Sequence, residues 1–178
     1  KVTKSSAIFD YDKLNWLNQH YIKNKNLSDI ADMVLPYLSD LNIKVSDRKY
    51  LENILSLGID RDYNLKNIAS GLTYYFEDDL NYKSDDFMKL DPVKSKTVIE
   101  NVIKKISNIE FDNKENISNC IKEVCSDMSL KFKDVGPAVR FSLTARLKAP
   151  SIDELCFTLG KDKALKRLND FYTFLSLA

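Results

Sequence analysis

The sequence predicts an all-α protein made of two packed helical bundles, on three observations. Apolar residues recur at intervals of three and four along nearly the whole chain, which lines them up on one face of a helix. Gly and Pro, at 4 each in 178 residues, are too scarce to turn the chain at the short intervals that a sandwich or barrel requires. Asp, Asn or Ser stands ahead of most periodic segments, where a short polar side chain can cap the first turn. A chain of this length, 44% hydrophobic and 30% charged, can bury a core without disulfides or metal.

The first predicted helix, entered from Asp10 or Asp12, carries Leu14, Leu17, Tyr21 and Ile22. Ser28 is the expected cap of the second, with Ile30, Ala31, Val34, Leu35 and Leu38 on one face, and Pro36 is expected to kink or shorten it. Asp47 caps a third with the stripe Leu51, Ile54 and Leu55, and Gly58 stops it. A fourth follows Asn64 and carries Leu65, Ile68, Ala69, Leu72, Tyr75 and Phe76. Glu77, Asp78, Asp79, Asp85, Asp86 and Asp91 then interrupt the period, so residues 77–94 read as an acidic loop and a boundary. The division expected is 1–76, a helical connector, and 95–178, a second helical subdomain.

Val98, Val102, Ile103 and Ile106 mark a fifth helix, and Ile117, Cys120, Ile121, Val124, Cys125 and Met128 a sixth. Gly136-Pro137 is expected to open a seventh that reaches Leu147, because Pro suits a first helical turn. Ser151 and Glu154 have the spacing of a capping box ahead of Leu155 and Leu159, closed by Gly160. Leu165, Leu168, Phe171, Tyr172 and Leu175 form the last stripe. The count is eight or nine helices, with no internal repeat.

Composition excludes several function classes. The sole histidine, His20, rules out any two-His constellation and reads as structural or surface-lying. Cys120, Cys125 and Cys156 lack metal-site spacing and read as buried thiols in a reducing compartment. No apolar run is long enough to span a membrane, and the opening residues lack the apolar h-region of a secretory signal, so none is expected; a cytoplasmic, monomeric protein is expected. The opening residues Lys1 to Ser6 have neither Met nor a cap and read as a cut inside a longer protein. No phosphate loop, nucleophile elbow or metalloprotease helix occurs, so neither catalysis nor a cofactor is expected in this chain. The acidic pairs Asp78-Asp79 and Asp85-Asp86 read as solvated turns.

The basic residues are more informative. Net charge is only +1, but residues 131–178 hold 9 Lys and Arg against 5 Asp and Glu, whereas residues 1–130 hold 18 against 21. Arg140, Arg146 and Lys148 cluster ahead of Pro150, and Arg140 and Lys148 share a face if the helix runs that far. Such a loop feeding a helix N-terminus suits single-stranded RNA, whose splayed bases are met by guanidinium and backbone donors. A helix hairpin with ordinary surface arginines has the same sequence features.

Phe9, Lys13, Leu14, Trp16, Asn18, Tyr21 and Ile22 resemble the Phe-x-x-x-Lys-Leu-x-Trp-x-Asn-x-x-Tyr-Ile pattern of bacterial-type, class I glutamyl-tRNA synthetases. Arg140, Leu143 and Thr144, followed by Pro150 and Leu159-Gly160-Lys161-Asp162, are similar to that family's Arg-x-x-Leu-Thr-Gly stretch and its Leu-Gly-Lys-Glu close. Arg61, Leu65 and Lys66 resemble a third landmark. The resemblance spans both ends of the chain. It implies the anticodon-binding C-terminal region of a glutamate–tRNA ligase, with tRNA(Glu) and the catalytic domain of the same chain as partners. ATP and Mg would belong to that catalytic domain. It implies further that Arg61 meets the last anticodon base and that Arg140, with the turn Pro150–Ile152, encloses the first two. Thr144 would position the helix, and Arg146 and Lys148 are candidates for the RNA backbone. Ala145 replaces the family's Gly, so a backbone conformation that needs Gly is expected to be lost.

A second reading from another class is a helical adaptor that docks a protein through Tyr74, Tyr75 and Tyr82. A helix-turn-helix that binds DNA is disfavoured by the modest charge.

Overall fold

The computed structural model describes residues 10–177. Phe9 and the opening residues 1–6 lie outside the described residues. Among the described residues there are nine α-helices and no strand, as the periodicity predicts. The chain divides into two compact units, Lys1–Thr73 and Tyr74–Ala178.

In the first unit, α1 (Tyr11–Lys23) starts at Asp10, whose carboxylate accepts from the Lys13 N–H at 3.0 Å. Only Ile22 of α1 is buried; Leu14 and Tyr21 of the expected stripe are exposed. α2 (Leu27–Asp40) is capped at Asn26 rather than at Ser28 and runs on through Pro36 without being shortened. Its Ile30, Ala31, Val34 and Leu38 meet α3 (Arg48–Gly58), which buries Leu51, Ile54 and Leu55. Asp47 caps α3 as expected, accepting from the Tyr50 N–H at 3.0 Å. Gly58 does not stop the chain by a left-handed turn; it is the last residue of α3, and a 3-10 turn, Ile59–Arg61, follows at once. Asn64 then accepts from the Asn67 N–H at 2.8 Å to start α4 (Leu65–Phe76).

In the second unit, α5 (Pro92–Ile106) packs on α9 (Lys161–Leu177), α6 (Lys114–Asp127) and α7 (Phe132–Thr144). α6 in turn packs on α8 (Ile152–Leu159). Asp91 and Asn113 cap α5 and α6 through the Lys94 and Asn116 amides. α7 begins at Phe132, earlier than Gly136-Pro137 suggests. Pro137 therefore lies inside the helix, where the bond it forfeits is that to the carbonyl of exposed Lys133. α7 also ends earlier than expected, at Thr144, so Lys148 is not on its face.

Residues 77–94 contribute to this core. Tyr82 packs on Phe171 with ring centroids 4.9 Å apart, and Phe87 on Phe174 at 5.0 Å. Phe141 joins the cluster through Phe171 at 5.3 Å. The Tyr82 hydroxyl lies 2.9 Å from the Ser142 carbonyl and 3.1 Å from that of Arg167. The same burial raises its pKa well above the usual tyrosine range. Tyr74, Tyr75 and Tyr82 are 3%, 2% and 6% exposed. The adaptor reading therefore loses its surface.

The largest fully buried side chain is Arg167 on α9. Its guanidinium donates to the carbonyls of Leu143 at 2.6 Å, Glu77 at 2.8 Å and Tyr74. These are the C-terminal ends of α7 and α4, where the helix dipole is negative. Lys163 donates to the Tyr75 carbonyl beside them at 3.1 Å. The three cysteines are buried free thiols, and burial raises the pKa of each.

Candidate nucleic-acid interface

The stretch from Arg140 to Ile152 turns the chain from α7 into α8, and several separate side chains fix its shape. Ala145 takes the left-handed conformation, φ 54° and ψ 25°, and closes α7 with its N–H on the Phe141 carbonyl at 2.7 Å. The expectation that replacing Gly would remove this conformation is thus corrected. The turn is kept, and Ala145 bears a steric cost of about 1–2 kcal/mol between its Cβ and the following carbonyl.

The buried hydroxyl of Thr144 bridges the same corner. It donates to the Arg140 carbonyl at 2.9 Å and accepts from the Arg146 N–H at 3.1 Å. The next amide, that of Leu147, donates to the Asp86 carboxylate at 3.1 Å. At the far end of the loop, Nε of half-buried Arg140 donates to the Pro150 carbonyl at 3.2 Å. Thr144, Asp86 and Arg140 therefore pin residues 146, 147 and 150 in turn. A loop held this way loses little further entropy when it binds.

The electrostatics are positive and directed. The Arg146 guanidinium lies over the Tyr74 ring, 5.8 Å from its centroid, and Lys148 is exposed. Lys89 pairs with Asp86 at 2.7 Å. The carboxyl of Asp86 is held below the usual aspartate range, chiefly by that Lys89 hydrogen bond, then by the Leu147 amide, with Arg146 adding to it. Asp86 stays ionised at neutral pH and keeps its grip on the loop.

α8 starts differently from the expected capping box. Ser151 is the N-cap, but its hydroxyl donates to the Glu154 carboxylate at 2.9 Å, and neither side chain caps the backbone. The helix begins with its positive dipole end at Ile152. The Ile152 side chain is 2% exposed and Pro150 is buried, so a ligand would meet this turn mainly along its backbone.

Arg61 lies in the first unit, at the end of the 3-10 turn, exposed, with Nε donating to the Leu57 carbonyl at 3.2 Å. The structure thus brings Arg140, Thr144, Arg146, Pro150 and Ile152 into one corner of the second unit, with Arg61 in the other unit. Asp86 and Tyr74 belong to the same corner and are not apparent in the sequence. Their only signal is weak, an acidic pair and a tyrosine at the edge of an apolar stripe. Among the described residues no group of three or more His, Cys, Asp and Glu is placed to hold a metal ion. No helix among them is long and apolar enough to cross a membrane.

Comparison with known proteins gives these residues a context. The model of a family described as anticodon binding domain matches residues 29–172. A glutamate–tRNA ligase of Buchnera aphidicola subsp. Acyrthosiphon pisum is 29% identical over 174 residues, 98% of this chain and 37% of that protein. A glutamate–tRNA ligase of Methylobacillus flagellatus is 32% identical over 167 residues, 94% of this chain and 35% of that protein. The crystal structure of a glutamate tRNA ligase from Elizabethkingia meningosepticum, in complex with its amino acid, superposes with a TM-score of 0.81 at 24% identity. It covers 98% of this chain and 34% of that one, and shows the shared all-α fold. The chain spans about a third of the length of the curated relatives it matches.

Proposed function

Since this chain belongs to the anticodon-binding domain family, we propose that it reads the anticodon of tRNA(Glu) as part of a cytoplasmic, monomeric glutamate–tRNA ligase. The catalytic domain of that ligase would join glutamate to the tRNA 3′ end with ATP and Mg. The observation that carries this reading is the pinned basic corner between α7 and α8, in which the Thr144, Asp86 and Arg140 side chains each hold one point of the loop.

Unstacked bases expose polar edges and need donors that are already in place. Arg140, fixed against Pro150, and the backbone from Pro150 to Ile152 would supply those donors for the first two anticodon bases. Thr144 acts through the helix end and has no need to touch RNA. Arg146 and Lys148 would meet phosphates. Arg61 would donate to O2 and N3 of a cytosine at the third anticodon position, an edge that uracil and guanine do not present. The reaction itself has no residues here, so the isolated chain is expected to form no glutamyl-adenylate.

Filter binding with a tRNA(Glu) transcript tests the reading. Retention that weakens steeply with salt, and weakens again when the anticodon is replaced, is expected. Equal retention of transcripts with any anticodon would sink it.

A further inference from the structure

We infer that the first unit contains, apart from the Arg61 contact, a further RNA subsite, a cavity that holds one unpaired nucleotide of the bound tRNA other than the third anticodon base; this rests on the tRNA-binding function proposed above. The cavity has a volume of about 520 Å³ and is bounded by α1, α2 and the start of α4. Its size is within the range of small-molecule sites and admits a nucleotide.

Three tyrosines line it, Tyr21, Tyr37 and Tyr63, and they remain 65%, 37% and 41% exposed. The buried tyrosines of this chain lie in the other unit, so these rings add nothing to that core. A tyrosine face open to solvent offers a stacking platform that accepts any base. Lys25 and Lys66 lie on the same wall, which contains no carboxylate. Neither lysine makes an ion pair among the described residues, whereas their neighbour Lys23 is paired with Asp60 at 3.0 Å. The two acidic side chains adjacent in sequence to the wall are engaged elsewhere, Asp32 by Arg48, and Asp62 by the Asn67 amide at 2.9 Å and the Tyr63 N–H at 3.2 Å. Asn18, also on the wall, places an amide donor and acceptor where a base edge would lie.

Charge complementarity selects the occupant. A hydrophobic protein segment would bury two ammonium groups without partners, at a desolvation cost that nothing here offsets. A nucleotide supplies a phosphate for the lysines, a π face for the tyrosines and a polar edge for Asn18.

The test uses this chain, a tRNA(Glu) transcript and the variants Tyr37→Leu, Tyr63→Leu, Tyr37→Phe and Lys66→Gln, each checked for unchanged melting. The two Leu variants should bind about tenfold more weakly, and Tyr37→Phe, which keeps the ring, should bind like the parent. Lys66→Gln should reduce the dependence of log affinity on log salt by about one. A transcript carrying 4-thiouridine should photocrosslink to the segments holding Tyr37 or Tyr63. Parent-like affinity of both Leu variants, with no such crosslink, overturns the subsite while leaving the anticodon reading intact. A parent chain that binds no tRNA overturns both.

Discussion

Single side chains decide how firmly the basic corner is held. Arg140 joins α7 to the Pro150 carbonyl, and Arg61 sits exposed at the end of its 3-10 turn. Replacing either by Ala should weaken binding of tRNA(Glu) by about 1–3 kcal/mol at matched salt if each guanidinium meets a base. Parent-like filter-binding curves for both variants would exclude these contacts. Asp86 contributes differently, since it carries the wrong charge to touch phosphate but fixes the Leu147 amide. Asp86→Ala should therefore lower RNA affinity, by about 1 kcal/mol, the worth of one hydrogen bond that positions the loop. An Asp86→Ala variant that bound more tightly would mean that its negative charge matters more than its grip. Ala145 offers a test in the other direction. Ala145→Gly relieves the left-handed strain at φ 54° and should raise stability by about 1 kcal/mol in a thermal melt.

At the scale of elements, helix ends carry the fold of the second unit. α9 turns its cations onto the C-terminal carbonyls of two other helices: Arg167 onto Tyr74, Glu77 and Leu143, and Lys163 onto Tyr75. A planar guanidinium spreads five N–H donors over a rigid fork and so reaches acceptors on separate helix ends, whereas an ammonium gathers its three donors on one atom. Arg167→Met should therefore cost about 3–5 kcal/mol, because buried carbonyls lose their donors. Arg167→Lys should recover only part of that loss. Calorimetric melting would show a shift of this size, and a near-neutral Arg167→Met would contradict the helix-end account. The corner between α8 and α9 depends on Gly160, whose φ of 80° and ψ of 160° lie in a region that only Gly adopts freely. It is the counterpart of Ala145, with one strained position filled by Gly and the other not.

At the scale of the whole molecule, stability should respond to acid through paired carboxylates. Asp32, Asp79, Asp86, Glu100 and Asp134 are all held below their ordinary pKa, each first by a hydrogen bond from Arg48, Lys166, Lys89, Lys104 and Lys94 respectively. A depressed folded-state pKa gives stability that is present above the unfolded value and lost as pH falls through the folded one. The melting temperature should thus be flat from pH 8 to about pH 5 and fall below about pH 4. Rising stability below pH 4 would contradict this sign. The apolar period of three and four, and polar caps such as Asp10, Asp47 and Asn64, determined the all-α class and several helix starts without reference to the rest of the chain. They act within one turn, so local sequence contains them whole. The Arg140, Thr144 and Pro150 cluster was legible through its resemblance to a known pattern. Other features depended on residues far apart in the chain. Asp86 reaches Leu147 across 61 positions, and Arg167 reaches Tyr74 across 93. No local pattern marks an aspartate in an acidic loop as a clamp, or an arginine on an apolar stripe as a helix cap. Only the packed structure decided these roles, because a charge is placed by what tertiary contacts bring within 3 Å of it, roughly one hydrogen-bond length.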